Sequence, residues 1–401
     1  MTPNHGYNTP TEGTLDWHLP LNDNFDRLER DVPVVDVESN LDTYVPHTGT
    51  LFFATDTGRR FVGDGENWSE LPYPDGTTSN DSGSSSDDGS STDSTANVVV
   101  SISSGTASAA RDGSEFASGD ADSVFDSVMN GLRSGDHVLI ESGTYEINTL
   151  KQTNGLTDIT WESKGEVYLD DKGTPQNRMF GFWNCDGVLI TGGTYDYDQP
   201  NNVDDGKPGT QSILNVKYST NIEIEDTTLL NAEDMFVGGN NATYVNIHHN
   251  EMRKSGERGV YISEDAHDIE VHHNVIRGVD SGALRSNEAP TGWYIHDNDI
   301  VMEPNDYGVV YLFGTGASDI RIENDTGKIS ASGEILHCKN TDSNGNPNRN
   351  ITITGGYYEG NPEKQNYQRF SVLEESDLST ISVSAETEIV NLPINNPEIH
   401  E

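Results

Sequence analysis

Val245-Asn246-Ile247-His248-His249-Asn250, Ile269-Glu270-Val271-His272-His273-Asn274 and Trp293-Tyr294-Ile295-His296-Asp297-Asn298 are three hexapeptides of one pattern, set 24 residues apart. Each opens apolar, polar, apolar, the alternation of a strand that buries one face. Working outward, the same triplet recurs as Val188-Leu189-Ile190, Ile222-Glu223-Ile224, Ile320-Arg321-Ile322 and Ile351-Thr352-Ile353, so the third residues follow at steps of 34, 23, 24, 24, 27 and 31. Three positions after each third residue stands Gly193, Thr227, Asn250, Asn274, Asn298, Asp325 or Gly356. That column suits a corner, because Asn tolerates left-handed backbone angles and its amide can bond to the equivalent residue one repeat away. Five positions after, a large apolar group returns at Tyr195, Leu229, Met252, Ile276, Ile300 and Tyr358. A second strand recurs in each repeat as Gly259-Val260-Tyr261-Ile262, Gly282-Ala283-Leu284, Gly308-Val309-Val310-Tyr311 and Gly333-Glu334-Ile335-Leu336. Repeats of this length that each carry strands and corners stack as coils. The reading is an all-β fold, a right-handed parallel β-helix, from about Asp120 to about Val390.

Upstream of the first coil, Val124, Phe125, Val128, Met129 and Leu132 share one helical face within Asp122 to Leu132. This predicts a short N-terminal capping helix over the exposed edge of the solenoid. Three zones follow from composition. Residues 76–96 are almost wholly Ser, Gly, Asp and Thr, a flexible linker that cannot bury enough apolar surface to order itself. Residues 1–75 form a small module ahead of it, with a short helix at Asn24 to Arg30 and a hairpin from Gly49 to Trp68. Residues 97–401 are the β-helix domain.

The repeat pattern resembles the pectin-lyase-like superfamily of right-handed β-helices, which includes polysaccharide lyases, glycoside hydrolases and viral tailspikes. The resemblance spans about two thirds of the chain and is specific for fold, with far less weight for activity. In the first module, Pro10-Thr11-Glu12-Gly13-Thr14-Leu15-Asp16-Trp17, Pro20-Leu21-Asn22-Asp23-Asn24-Phe25 and the stretch Ala54-Thr55-Asp56-Thr57-Gly58 to Gly63-Asp64-Gly65-Glu66-Asn67-Trp68 resemble virion-attachment segments of tail-fibre proteins. Those proteins belong to tailed viruses, including viruses of halophilic archaea. The resemblance implies a homo-oligomer, a trimer, as among viral spikes.

Sixty-seven acidic residues stand against 23 basic ones, a formal charge of −44 at pH 7, and only nine of the basic residues are Lys. The acids are spread over the repeats, which reads as a whole-surface adaptation to concentrated salt, where the screening length shrinks to ~3 Å or less. No basic stripe exists to neutralise phosphates, so no nucleic-acid partner is expected. No apolar run approaches the ~20 residues of a membrane span, so no membrane insertion is expected. The amino terminus carries no basic region followed by an apolar core, so no secretion signal is expected. Cys185 and Cys338, the only cysteines, sit in apolar stretches and read as buried small hydrophobes.

Strand alternation sends the residue after each third apolar position outward, giving a column of Thr191, Glu225, His248, His272, His296, Glu323 and Thr354. The parallel outward column is Leu189, Glu223, Asn246, Glu270, Tyr294, Arg321 and Thr352. Glu225, His248, Glu270, His272, Tyr294, His296, Arg321 and Glu323 are therefore the candidate ligand-binding residues, a strip for glycan hydroxyls with Tyr294 as a stacking platform. The imidazoles could instead hold a divalent metal, or the strip could be a polar ladder without a task. Rung spacing alone does not bring three ligands to one ion, so no cofactor is assigned, with Ca²⁺ or another divalent cation left open. His249, His273 and Asp297 are expected beside the corner, facing solvent or the turn backbone.

Further round the coil, Glu257, Arg258, Glu264, Asp265, Arg285 and Glu288 fall in adjacent repeats, of which Glu264, Asp265, Arg285 and Glu288 are the candidate catalytic residues. Paired carboxylates could serve glycoside hydrolysis, and carboxylate-bound Ca²⁺ beside an Arg could serve a lyase. The sharper catalytic signature of the resembling enzymes, a Gly-His-Gly near paired Asp residues, is missing. The expected function is a virion surface appendage in a high-salt extracellular setting. Residues 1–75 would dock on other virion proteins, and the β-helix would bind host-surface glycan or glycoprotein. The alternative is a polysaccharide-degrading enzyme acting from the β-helix face.

Overall fold

The structure is a computed structural model that describes residues 34–36, 38–45, 51–54, 60–63, 67–70, 96–170, 178–197, 211–288, 290–302, 308–314, 316–330, 332–340, 347–373, 376–394 and 397–400. The chain divides into two units, Met1–Ser91 and Thr92–Glu401.

In the first unit, Val34–Asp36 pairs parallel with Leu51–Ala54, which pairs antiparallel with Arg60–Gly63, followed by Trp68–Glu70. The hairpin expected between Gly49 and Trp68 is therefore present. Phe61 is its buried centre, packed by Leu41, Tyr44 and Trp68, and the Trp68 indole N–H donates to the Tyr44 carbonyl at 3.2 Å. The helix expected at Asn24 to Arg30, the motifs of residues 10–25 and all of the linker except Ala96 lie outside the described residues.

The second unit is the right-handed parallel β-helix that the repeats call for. A representative coil runs Thr243–His248, a two-residue corner at His249 and Asn250, Glu251–Ser255, a short turn, Arg258–Ser263 and a second turn. First strands pair in register with their counterparts in the next coil, as Ile247 does with Val271 and Val271 with Ile295, while register shifts occur at Ser163–Glu166 and Arg277–Val279. Third strands such as Arg258–Ser263 form a separate nine-stranded sheet. The middle strand of each coil, Glu251–Ser255 here, was legible in sequence only as one recurring apolar position, because it is short and its outward residues follow no pattern.

The interior is one continuous apolar cluster from Val98 to Ile399, with Ile190, Ile224, Ile247, Val271, Ile295, Ile322 and Ile353 stacked and buried. Cys185 and Cys338 belong to it as free thiols. Each fully buried Ile or Val contributes roughly 1.5–3 kcal/mol of transfer free energy.

The capping helix is Ala121–Gly131. Its N-cap Asp120 accepts from the Ser123 amide at 2.8 Å. Phe125 reaches into the first coils, edge-on to Tyr145 and Phe180 at 5.7 Å each. Lys151, wholly buried, ties the helix down through Asp122 at 2.7 Å and Asp126 at 2.9 Å. An antiparallel meander, Val98–Ser103, Thr106–Arg111 and Ser114–Gly119, precedes the helix, and Val98–Ser103 joins the solenoid parallel to His137–Ile140. The sequence reading did not find this meander, since its alternation of small residues is too faint.

The corner column is buried, and its amides form the expected ladder. The Asn250 amide donates to Asn274 Oδ1 at 3.0 Å, the Asn274 amide to Asn298 Oδ1 at 3.0 Å, and the Asn298 amide to Asp325 Oδ1 at 3.0 Å. Each of the three also donates backward, to the carbonyls of Ile224, Ile247 and Val271, at 2.8 Å each. One expectation is corrected. Where the column holds Thr, Asn or Asp the left-handed residue is the one before it, with Asp226, His249, His273, Asp297 and Asn324 at φ between 51° and 55°, whereas Gly193 and Gly356 are themselves left-handed. The buried amides are committed to a neighbouring coil and to a carbonyl behind them, and the left-handed turn is made one position earlier.

At Asp325 the ladder ends in a carboxyl whose Oδ2 is buried without a hydrogen-bond partner among the described residues. Burial raises its pKa to about 7, against the lowering effect of the Asn298 donors. The ionised form is thus disfavoured in the folded state. The penalty is absent below the unfolded pKa near ~4, grows as pH rises towards 7 and is complete above it. Asp325→Asn should raise the melting temperature by several degrees at pH 8 and leave it unchanged at pH 4, and an equal shift at both pH values would contradict this account. Asn274→Ala removes donors to Ile247, His272 and Asn298 and orphans the Asn250 amide. It should cost about 3 kcal/mol or more by denaturant unfolding.

Candidate functional site

The two outward columns of the first sheet are in the expected register. Thr191, Glu225, His248, His272, His296, Glu323 and Thr354 pair successively, as do Leu189, Glu223, Asn246, Glu270, Tyr294, Arg321 and Thr352. The imidazoles of His248 and His272 stack at 4.8 Å and 14°, and those of His272 and His296 at 4.7 Å and 3°. The strip was expected to be exposed throughout, yet His248 keeps only 8% of its surface. Parallel stacking at the strand spacing of ~4.8 Å makes each ring cover the next.

Carboxylates of the neighbouring column fix the outer rings. His248 Nε2 lies 3.0 Å from Glu223 Oε1 and 3.7 Å from Glu225 Oε2, while His296 Nε2 lies 3.0 Å from Glu270 Oε1 and its Nδ1 2.8 Å from Asp297 Oδ2. Among the described residues no carboxylate comes within salt-bridge distance of the middle ring, His272. Burial, and then the charges of His296 and His248, push its pKa down to about 4. Burial also acts to lower His296, but its bonds to Asp297 and Glu270 outweigh this and raise it. Burial and the charge of Glu223 raise Glu225.

At the upper end the Arg321 guanidinium lies over the Tyr294 ring at 4.5 Å and donates to Glu323 at 2.6 Å, while the Tyr294 hydroxyl donates to the same carboxylate at 2.8 Å. Glu323 is held below its usual pKa by the Arg321 hydrogen bond, and burial with the Glu323 bond raises Tyr294 to about 12. His296 also stacks on Tyr294 at 4.2 Å. The ring expected as a sugar platform is therefore already engaged by a guanidinium and an imidazole, and the strip's hydrogen-bonding edges are its larger offering.

His249 and His273 stack at 5.0 Å on the left-handed corner and remain exposed. They turn back to the preceding histidine rather than to backbone: Nδ1 of His249 is 2.8 Å from Nδ1 of His248, and Nδ1 of His273 is 2.8 Å from Nδ1 of His272. The ligand atoms of His272, His273 and His296 lie within 4.8 Å of one another, as do those of Glu223, Glu225 and His248. Rung spacing alone would keep ligands apart, but the corner residue closes the gap.

The catalytic candidates are not gathered as a group. Glu264 and Glu288 hold the same turn position in successive coils, both left-handed at 62° and 64°. The Glu264 carboxylate accepts from the amides of Asn240 and Asn241, a turn-bracing role. Asp265 and Glu288 are exposed on that turn. Arg285 instead lies on the outer face of the third-strand sheet, where it meets Glu257 and Arg258, expected in adjacent repeats, and also Tyr261, Tyr311, His337 and Glu334, which were not expected there. Glu257 pairs with Arg258 at 2.6 Å and with Arg285 at 3.6 Å. Arg258 lies over Tyr261 at 4.4 Å and Arg285 over Tyr311 at 4.8 Å. Tyr311 meets His337 edge-on at 4.6 Å, and His337 Nδ1 is 3.1 Å from Glu334. Burial raises the Glu257 pKa and lowers that of Arg285. The signal was available, since Tyr261, Arg285, Tyr311 and His337 occupy one register column, each following an apolar residue of the second-strand repeats.

No protein-family model matches the chain, and no curated protein matches it. Among solved structures it is similar to an endo-xylogalacturonan hydrolase from Aspergillus tubingensis, with 12% identity and a TM-score of 0.47, over 69% of this chain and 89% of that one. It is similar to the ORF18 protein of Geobacillus virus E2, with 12% identity and a TM-score of 0.44, over 90% and 73% of the two chains. The surface protein and adhesin PfbA of Streptococcus pneumoniae matches with 12% identity and a TM-score of 0.46, over 68% and 84%. Likeness at this level transfers no chemistry.

Site-resolved NMR titration tests the electrostatics of the ladder. The His272 ring should titrate near pH 4 and His296 above the ordinary imidazole value of ~6.5. A common midpoint for both would contradict the assigned contacts.

Proposed function

We propose that the chain is a surface appendage of a virus of a halophilic archaeon, a tail fibre or spike that acts in a high-salt extracellular medium. Residues 1–75 dock on other virion proteins and the β-helix binds host-surface glycan or glycoprotein. The observation that carries this reading is the strip from Glu223 to Glu323, five successive coils of imidazole, carboxylate, amide, phenol and guanidinium held in place by one another. Polyhydroxylated ligands are recognised by such fixed donors and acceptors, and pre-ordered side chains lose little entropy on binding. Two further features support it. A Ser/Gly/Asp segment separates the zone assigned to docking from the zone assigned to recognition, and the charge of −44 suits a surface bathed in concentrated salt. As in viral spikes, the working form is a homotrimer.

Fluorescently labelled full-length chain should adsorb to intact haloarchaeal cells in multimolar KCl and lose adsorption after periodate oxidation of the surface sugars. Adsorption that survives periodate, or a strict monomer by light scattering, would count against the respective parts of the proposal. Salt dependence gives a separate check. Lowering the salt from about 1 M to about 0.1 M lengthens the screening distance from ~3 Å to ~10 Å, so the melting temperature should fall steeply. A melting temperature indifferent to salt would remove the halophilic reading.

A second reading, a polysaccharide-cleaving enzyme, is favoured by one observation: Glu257, raised in pKa by burial, sits between two partly desolvated arginines with Tyr261, Tyr311 and His337 beside them. A buried carboxyl of raised pKa suits general acid catalysis, and paired arginines suit an anionic sugar. Incubation with host-surface polysaccharide should then release reducing ends or unsaturated uronates, and Glu257→Gln should abolish the release. No product from the wild-type chain would dismiss this reading and leave the first intact.

A further inference from the structure

We propose that the paired histidines of the first corner bind a nitrogen-preferring transition-metal dication of the Ni²⁺ and Cu²⁺ class, with His272 and His273 as a bidentate pair and His296 as a third ligand. The pairing is a product of the backbone. His272 ends its strand pointing outward, and His273 follows at φ 53°, which swings its ring back until the two Nδ1 atoms are 2.8 Å apart. Two nitrogens bound cis at 90° to an ion with metal–nitrogen distances of ~2.05 Å lie ~2.9 Å apart, whereas a tetrahedral ion requires ~3.4 Å. The observed separation is that of a hydrogen bond between the two rings, which the ion would replace, and it lies close to the cis spacing of octahedral and square-planar ions. Imidazole donors also exclude Ca²⁺ and Mg²⁺, which take oxygen ligands.

His296 brings its nearest ring nitrogen within 4.8 Å of the other two ligand atoms. It must exchange a hydrogen bond, to Asp297 or to Glu270, for the ion. One coil below, His248 and His249 repeat the 2.8 Å pair, with Glu223 and Glu225 beside them, so a second and harder site adjoins the first. One coil above, Asp297 takes the place of the second histidine, and the series of pairs ends.

The test uses full-length protein in concentrated salt, with Ni²⁺ followed by titration calorimetry and Cu²⁺ by electron paramagnetic resonance. Saturable binding of one to two ions per chain is expected, with hyperfine coupling to at least two nitrogens. His273→Asn keeps a residue that tolerates the left-handed corner and removes a ligand, so binding should weaken by about tenfold or more while the far-ultraviolet spectrum is unchanged. His267→Asn, at a half-buried histidine paired with Asp268 on the same sheet, should bind as the wild type does. Non-saturable binding, equal affinity in His273→Asn, or displacement of Ni²⁺ by millimolar Ca²⁺ would overturn the proposal.

Discussion

The structure depends on keeping coils of unequal length in register, and the buried amide ladder at the first corner is what enforces it. Coil lengths vary because loops swell after the second and third strands, so nothing in chain length sets the stacking. Apolar side chains cannot set it alone, since Ile247 would meet Val271 or its inward neighbour Ile269 with similar transfer energy. A hydrogen bond between Asn250 and Asn274 is directional and lies in a medium where an unmade bond costs about 1–3 kcal/mol. Slipping one coil by two residues would break such a bond above and below, and slipping it by one would also turn the outward residues of the strand inward.

This constraint explains which parts of the fold were legible in the amino-acid sequence. The first strand and corner of each coil leave a strict pattern, because one inward apolar pair, one outward column and one buried amide recur at every turn. The capping helix was legible from its face of Val124, Phe125, Val128 and Met129, all of them buried. The middle strands were faint, since Glu251–Ser255 places only Met252 as a large residue in the core and Val275–Val279 only Ile276 and Val279. A second left-handed column was missed altogether: Gly187, Asn221, Tyr244, Asp268, Gly292, Asp319 and Asn350 each precede the first apolar residue of a coil. Six of these seven are types that tolerate such angles. Tyr244, exposed and pressed edge-on against His267, breaks the pattern and hides it.

The candidate site was legible to the level of columns and no further. Register placed Glu225, His248, His272, His296 and Glu323 in one line, because strand alternation admits no other arrangement. It could not say which ring would be covered, which carboxylate would reach which imidazole, or that Arg321 would lie over Tyr294. Those outcomes follow from rotamers and from charge competition between neighbouring rungs. His272 is the clearest case. Its neighbours on both sides are histidines, Glu223 and Glu270 are taken by His248 and His296, and the middle ring is left neutral by default. On the other face, Glu264 and Glu288 looked like candidate acids because acids near arginines are common in so acidic a chain, and they proved to be turn residues. Of the six residues grouped from adjacent repeats only Glu257, Arg258 and Arg285 meet, and the column of Tyr261, Arg285, Tyr311 and His337 accounts for the rest of their cluster.

The ladder and the site are one device. The buried amide of Asn274 is committed to the ladder, the left-handed turn falls on His273, and the turn aims the His273 side chain at the last outward residue of the strand. Two consecutive residues are thus made to face each other across about 3 Å, although along an ordinary strand they would point to opposite sides. The same geometry recurs wherever the column keeps its amide. His248 meets His249, His272 meets His273, and His296 meets Asp297, each at 2.8 Å between polar side-chain atoms. The fold therefore presents a series of two-residue donor pairs along its axis, spaced by the coil, whose chemistry can be rewritten one coil at a time without touching the core. Where both residues are histidine the pair is a chelate, and where the second is Asp it is an ion pair. Any function carried by this face is consequently tuned at positions 248, 249, 272, 273, 296 and 297, while Asn250, Asn274 and Asn298 keep them aligned.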